Sequence, residues 1–325
     1  MSHDSLKIFS EAEKFRAQGL FSKALPAYLS AVKSSQDPSL RFDAFLSLAS
    51  IARSLGDIPG AREYIQKARL EMKRAGRTDE KEFVDLEETL IDRADGKYQK
   101  SVQRLRVFFK RRLAEKDFQA CGFIEWAIGG ALRFSGRLKE SEKAYDRSFA
   151  FAKKAHDGDG QIYALLGLGG VCRIQGKLSD SEKHYRKAKN LLSQSADLFA
   201  KAYAYCGLGN ALRQKGLYLE AGELYLKSRS LYRKLGDAAD LGYVEWGLAR
   251  VNMQKGDLKA ARGFLNRALV LFGRSRENRG LVLAQMSLSQ VLHAGGETAR
   301  GEALFQKAVK LSLKSGLTAH LEPFT

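Results

Sequence analysis

Gly56, Gly96, Gly136, Gly176, Gly216, Gly256 and Gly296 stand forty residues apart without a slip, and Gly19 opens the series thirty-seven residues before Gly56. A spacing held so strictly over 325 residues means a structural unit repeated in tandem rather than one globular core. Five residues after each glycine comes a small side chain: Ala24, Ala61, Ser101, Ser141, Ser181, Ala221, Ala261 and Gly301. Nine after comes a large one: Tyr28, Ile65, Leu105, Tyr145, Tyr185, Tyr225, Leu265 and Phe305. Twelve after, the residue is small again except at Phe108. These offsets share one helical stripe, so a helix follows each glycine and packs closely along it. An apolar-periodic stretch of about fourteen residues also precedes each glycine. The unit is therefore helix, glycine turn, helix, with glycine at the turn because a helix commonly ends at positive φ. Asp57 and Pro59 add start signals for a second helix, a capping carboxylate and an early proline.

Eight such units fill the chain, at approximately 4–40, 41–80, 81–120, 121–160, 161–200, 201–240, 241–280 and 281–320, leaving 317–325 as a short tail. Pro26, Pro38, Pro59 and Pro323 are the only prolines, so more than 260 residues run without that helix breaker. One hairpin cannot bury its apolar stripe alone, and stacking against neighbours makes the core, with atypical caps at the ends. The short first unit with Pro26 suits a cap. The thin C-terminal tail predicts that another molecule covers that end.

The small and aromatic positions resemble those of the tetratricopeptide repeats across nearly the whole chain. The segment Tyr203 to Asp237, YAYCGLGNALRQKGLYLEAGELYLKSRSLYRKLGD, is similar to the forty-residue variety of Pins-type polarity adaptors, rapsyn and maltose-activator-like regulators. Gly207, Leu208, Gly209 and Asn210 stand where those proteins carry an Asn-Leu-Gly-Asn signature. The likeness thins to GLGG near residue 170, GLAR at 247–250, and EETL at 87–90. The resemblance implies an all-α, right-handed superhelical solenoid forming one domain, with a concave groove lined by the first helix of each unit and used mostly to hold peptides or proteins.

With 44% apolar and 28% charged residues the chain has the material for a packed core. Its start mixes charged and single apolar residues as neither a signal nor a transit peptide does, and no stretch reaches the length of a membrane span. That reading places the protein in the cytoplasm and away from membranes. Cys121, Cys172 and Cys206 are odd in number and far apart, which argues for buried thiols rather than disulfides or a metal site. Gly169 and Gly170 are not part of a phosphate-binding loop, because Lys177 is followed by Leu178 rather than Ser or Thr. A dinucleotide fingerprint fails at Cys172, where the third glycine belongs. The five histidines form no metal pair and no triad can be recognised, so a non-enzyme without cofactors is expected.

The sharpest functional signal lies three residues before each turn glycine: Arg16, Arg53, Arg93, Arg133, Arg173 and Arg213, six units running, until Met253 and His293. Positions three, seven and ten residues further back share that face. They hold Asn210, Arg250 and Gln290, then Trp126 and Trp246, then Phe83, Phe123, Tyr163, Tyr203 and Tyr243. Neighbouring first helices lie ~8 to 10 Å apart and an extended peptide advances ~3.3 Å per residue, which matches about three ligand residues to each unit. Net charge is +18, and residues 161–280 hold Lys and Arg 21 against Asp and Glu 10. The leading expectation is an adaptor that holds an acidic peptide or protein segment on the arginine face. The alternative is a single-stranded nucleic acid lying along arginines and rings. Two blander assignments compete: arginines paired with acids of neighbouring helices, and rings wedged between helices. For the basic run Lys110, Arg111 and Arg112, a solvated helix end is the simplest expectation.

Overall fold

A computed structural model describes residues 3–317. Its described residues form sixteen α-helices in consecutive pairs and no strand: α1 His3–Ala17, α2 Phe21–Ser34, α3 Pro38–Ser54, α4 Ile58–Arg74, α5 Lys81–Ala94, α6 Tyr98–Ala114, α7 Phe118–Phe134, α8 Leu138–Lys154, α9 Gly158–Ile174, α10 Leu178–Leu191, α11 Leu198–Gln214, α12 Tyr218–Leu235, α13 Ala238–Gln254, α14 Leu258–Ser275, α15 Asn278–Ala294 and α16 Thr298–Lys314. Odd-numbered helices are the first of each hairpin and even-numbered ones the second. The fold is an all-α helical-repeat solenoid. Contacts divide it into two units, the boundary falling between Gly167 and Leu168. The expected C-terminal tail lies outside the described residues beyond Leu317.

Each turn glycine of the series adopts positive φ, from 73° at Gly19 to 83° at Gly296. At the third helix the turn closes with Gly56 N–H donating to Arg53 O and Asp57 N–H to Ala52 O, satisfying carbonyls that the helix end would leave open. A second positive-φ series follows the second helices, spaced by forty residues or twice that: Gly76, Lys116, His156, Gly236, Arg276 and Gly316. Half of these carry a Cβ, so no glycine marks them. Lys116 at φ 58° bears the steric cost of the left-handed region, ~1 kcal/mol for an L-residue. Lys116→Gly should therefore raise the urea midpoint by an amount worth up to about 1 kcal/mol, and a lowered midpoint would show that the lysine side chain supplies more than the strain removes. Aspartates cap four of the first helices: Asp117, Asp157, Asp197 and Asp237 each accept from the backbone N–H three residues on.

The joint between α10 and α11 departs from this pattern. There the chain leaves α10 through a short 3-10 turn, Leu192–Gln194, and reaches the Asp197 cap without a positive-φ residue. As a result α10 is 14 residues long where α8 is 17.

In three of the repeats the large residue nine after the turn glycine is a tyrosine buried against glycines on the first helices, whereas Phe305 at that position of the last repeat is 41% exposed. Tyr145 lies between Gly129 and Gly167, Tyr185 between Gly169 and Gly207, and Tyr225 between Gly209 and Gly247. A Cβ at Gly207 would stand 2.3 Å from the Tyr185 ring, so only glycine lets the helices approach this closely. Two buried serines of the second helices satisfy themselves on first-helix carbonyls, Ser141 Oγ on Gly129 O and Ser181 Oγ on Gly169 O, both at 2.7 Å.

Candidate functional site

The arginine series sits in the last turn of successive first helices, and the structure separates its members by what each touches. Arg16 donates to Glu13 and to the Tyr28 hydroxyl. Arg53 Nε reaches Glu87 Oε1 at 2.6 Å across to α5, and burial pushes the Glu87 carboxyl above its ordinary value while Arg53 opposes that shift. Both charges are matched within the chain, as in the blander assignment of arginines to neighbouring acids, and Asp43 of α3 pairs with Arg77. Arg111 and Arg112 likewise clamp Glu82 at 2.7 and 3.1 Å, so that run ties α6 to α5 and is more than a solvated helix end.

Arg93 differs. Its half-buried guanidinium crosses from α5 to α7, over the Trp126 ring at 5.2 Å, with Nη1 3.4 Å from the Ala127 carbonyl, and among the described residues it makes no ion pair. Gly130 makes room for it: a Cβ there would lie 2.7 Å from Nη1. Burial, and after it the like charge of Arg53, push the Arg93 guanidinium down to about 10. Arg133 lies over the Phe134 ring at 4.9 Å. Beside Arg93, Phe123 is 42% exposed and tilts against Trp126, which meets Tyr163 edge-on; Phe83, on the Arg93 stripe of α5, is 50% exposed.

In the second unit, Arg173 and Arg213 are buried, and Arg213 Nε donates to the Tyr225 hydroxyl at 3.3 Å. That hydroxyl donates in turn to Asn210 Oδ1 at 2.8 Å, so Asn210 is engaged inside the chain. Arg213 and Arg250 flank the Trp246 ring at 5.0 and 5.9 Å, and Arg250 Nη1 donates to the exposed Gln290. Trp246 is 1% exposed and its indole N–H donates to Ser287, which makes it packing rather than a surface for stacking. Tyr243 is held by Phe272 at 4.9 Å and by Glu277, to which its hydroxyl donates. Tyr203 is half-buried beside Phe199.

No group of three or more His, Cys, Asp or Glu able to hold a metal occurs among the described residues. The three cysteines form no disulfide, and burial pushes the Cys206 thiol up to about 12, far from a reactive thiolate. No helix among the described residues is long and apolar enough to cross a membrane.

Profiles of the family described as Tetratricopeptide repeat match residues 9–79, 122–194 and 200–272, together about two thirds of the chain. The protein belongs to the tetratricopeptide-repeat superfamily. No curated protein matches it. Among solved structures, BtubC (BKLC) from P. vanneervenii is similar with a TM-score of 0.55 at 17% identity, over 69% of this chain and 91% of that one. A Rap protein complexed with Competence and Sporulation Factor gives 0.63 at 13% identity, over 84% and 76%. The STAND protein with a tetratricopeptide repeat sensor, PH0952 from Pyrococcus horikoshii, gives 0.51 at 13%, over 98% of this chain and 44% of its own. At these identities the likeness is one of fold. Tetratricopeptide repeats mediate protein–protein interaction and scaffolding.

Proposed function

We propose that this chain is a non-catalytic cytoplasmic adaptor whose first helices hold an acidic segment of a partner protein. The observation that carries the reading is Arg93, a half-buried cation whose described contacts are a ring and a carbonyl, and whose protonated form is disfavoured by burial and by Arg53. A partner's carboxylate supplies the missing counter-charge and a planar acceptor for the guanidinium fork. Exposed Phe83 and Phe123 offer the apolar surface such a segment would cover. In the second unit, Arg250 and Gln290 are the accessible polar pair, with Arg250 over the sealed Trp246 ring, while Asn210 is held by Tyr225. The fold shared with a Rap protein complexed with Competence and Sporulation Factor is in keeping with a recognition role. Three cysteines without a disulfide suit a reducing compartment.

Selection of a random peptide display library on the full chain tests the proposal. The expected result is enrichment of Asp and Glu in the recovered peptides, with about tenfold weaker binding when those acids become Asn and Gln. Recovery of sequences without acids, or tighter binding of single-stranded RNA with a steep salt slope from counterion release, would overturn it.

A further inference from the structure

Glu245 is almost fully buried on α13, and two second helices reach it: Arg229 of α12 with Nε 2.6 Å from Oε1, and Arg267 of α14 with Nε 2.9 Å from Oε2. Arg233 lies 3.9 Å away. One repeat earlier, in the same compact unit and forty residues back, these four positions are Tyr205, Lys189, Lys227 and Ser193. Two of the three cations are kept and the carboxylate is not. All four residues line a single cavity of about 510 Å³, where Lys201 adds a third ammonium and Leu192 and Leu224 supply apolar wall. No acidic residue lines the cavity. Among the described residues, none of the three lysines makes an ion pair, although Lys189 and Lys201 are half-buried. The early end of α10 and its 3-10 turn bring Leu192 and Ser193 to the rim.

We infer that this cavity is a binding site for a small polyphosphate-bearing ligand, a nucleoside di- or triphosphate, which supplies the anion that Glu245 supplies to the next repeat. Three separate ammoniums are point charges without the fork that grips one carboxylate, and they match anionic oxygens spread over two or three phosphorus atoms. The cavity is several times larger than a phosphate group and falls in the size range of small-ligand sites. The half-buried Tyr205 ring, with Leu192 and Leu224, offers a face on which a base can stack. This site lies on different residues from the arginine face and stands or falls independently of the adaptor reading.

Calorimetric titration of the full chain with pyrophosphate, ADP and citrate at low salt tests the inference. Pyrophosphate and ADP should bind, citrate at least tenfold more weakly, and the double variant Lys189→Gln, Lys227→Gln should lose affinity about a hundredfold. Tyr205→Glu restores the carboxylate that the next repeat carries and should abolish phosphate binding while the melting temperature holds or rises. Tighter binding of ADP than of pyrophosphate supports contact with the nucleoside, and equal binding supports recognition of the phosphates alone. Arg93→Gln should leave these titrations unchanged. The inference is overturned if neither phosphate compound binds the native chain, if citrate binds as tightly, or if the double lysine variant binds normally.

Discussion

Replacing Arg93 and Arg133 together by glutamine should weaken binding of the native partner by about a hundredfold while the melting temperature moves by no more than ~2 °C. A hydrogen bond to a charged group contributes ~1.5 to 3 kcal/mol net, and ~1.4 kcal/mol is tenfold in affinity. Exposed ion pairs are worth less, ~0.2 to 1 kcal/mol, but the Arg93 guanidinium is half-buried and already oriented by Trp126 and the Ala127 carbonyl. The lower end of the larger range, near tenfold for each arginine, is therefore the appropriate figure. Stability should hold because the Arg93 charge has no ion-pair partner among the described residues to lose, and glutamine keeps an N–H donor for Ala127. Arg53→Gln should behave in the opposite way, lowering the melting temperature by leaving buried Glu87 without its cation. If the double variant unfolds early and still binds, the arginines belong to the packing and the adaptor mechanism is wrong.

Gly207→Ala should be among the most destabilising single-methyl changes in the chain. Its Cβ would stand 2.3 Å from the Tyr185 ring, which is 2% exposed and closed on its other side by Gly169. The ring has no free space to turn into, so α11 must move away from α10, and overpacking of this kind costs ~1 to 3 kcal/mol or more. Gly222→Ala on α12 is the control, because its nearest neighbour is Val251 Cγ1 at an ordinary 3.8 Å. There alanine's higher helix propensity should stabilise by up to ~1 kcal/mol. Chemical denaturation of the two variants measures the difference. Equal effects would mean that the tyrosine seats are looser than their geometry.

The repeat, its glycine turns and the tyrosine stripe were legible because each recurs at a fixed sequence interval and rests on local helix geometry. The partners of Arg53 and Arg93 were not, because they lie on the next hairpin, and the offset that joins neighbouring hairpins is close to 34 residues rather than forty. Arg53 meets Glu87, Arg186 meets Glu220, and Tyr243 meets Glu277 at that separation. Applied to the sequence, the same offset carries Arg93, Arg133, Arg173 and Arg213 to Ala127, Gly167, Gly207 and Gly247, none of them an acid. A search at 34 would have told Arg53 apart from the rest. The hairpin joints were missed for another reason: Lys116, His156 and Arg276 take a backbone conformation that composition assigns to glycine. The aspartate caps at Asp117 and Asp157 are the signal that marks the first two of those joints. Exposure of the aromatic column could not be read from helical phase alone, since Trp126 and Trp246 share a position and only Trp246 is sealed.

A tyrosine seated between glycines of two successive repeats makes the array tolerant of one kind of length change and intolerant of others. Removing forty residues in register after Tyr185 would bring its ring to Gly247 in place of Gly207, a glycine of the same phase that already accommodates the ring of Tyr225. Removing thirty-eight or forty-two would present that ring with a side chain instead. Gain and loss of whole units is thus a path open to this gene that needs no new packing solution, and partial units are closed to it by the width of one aromatic ring.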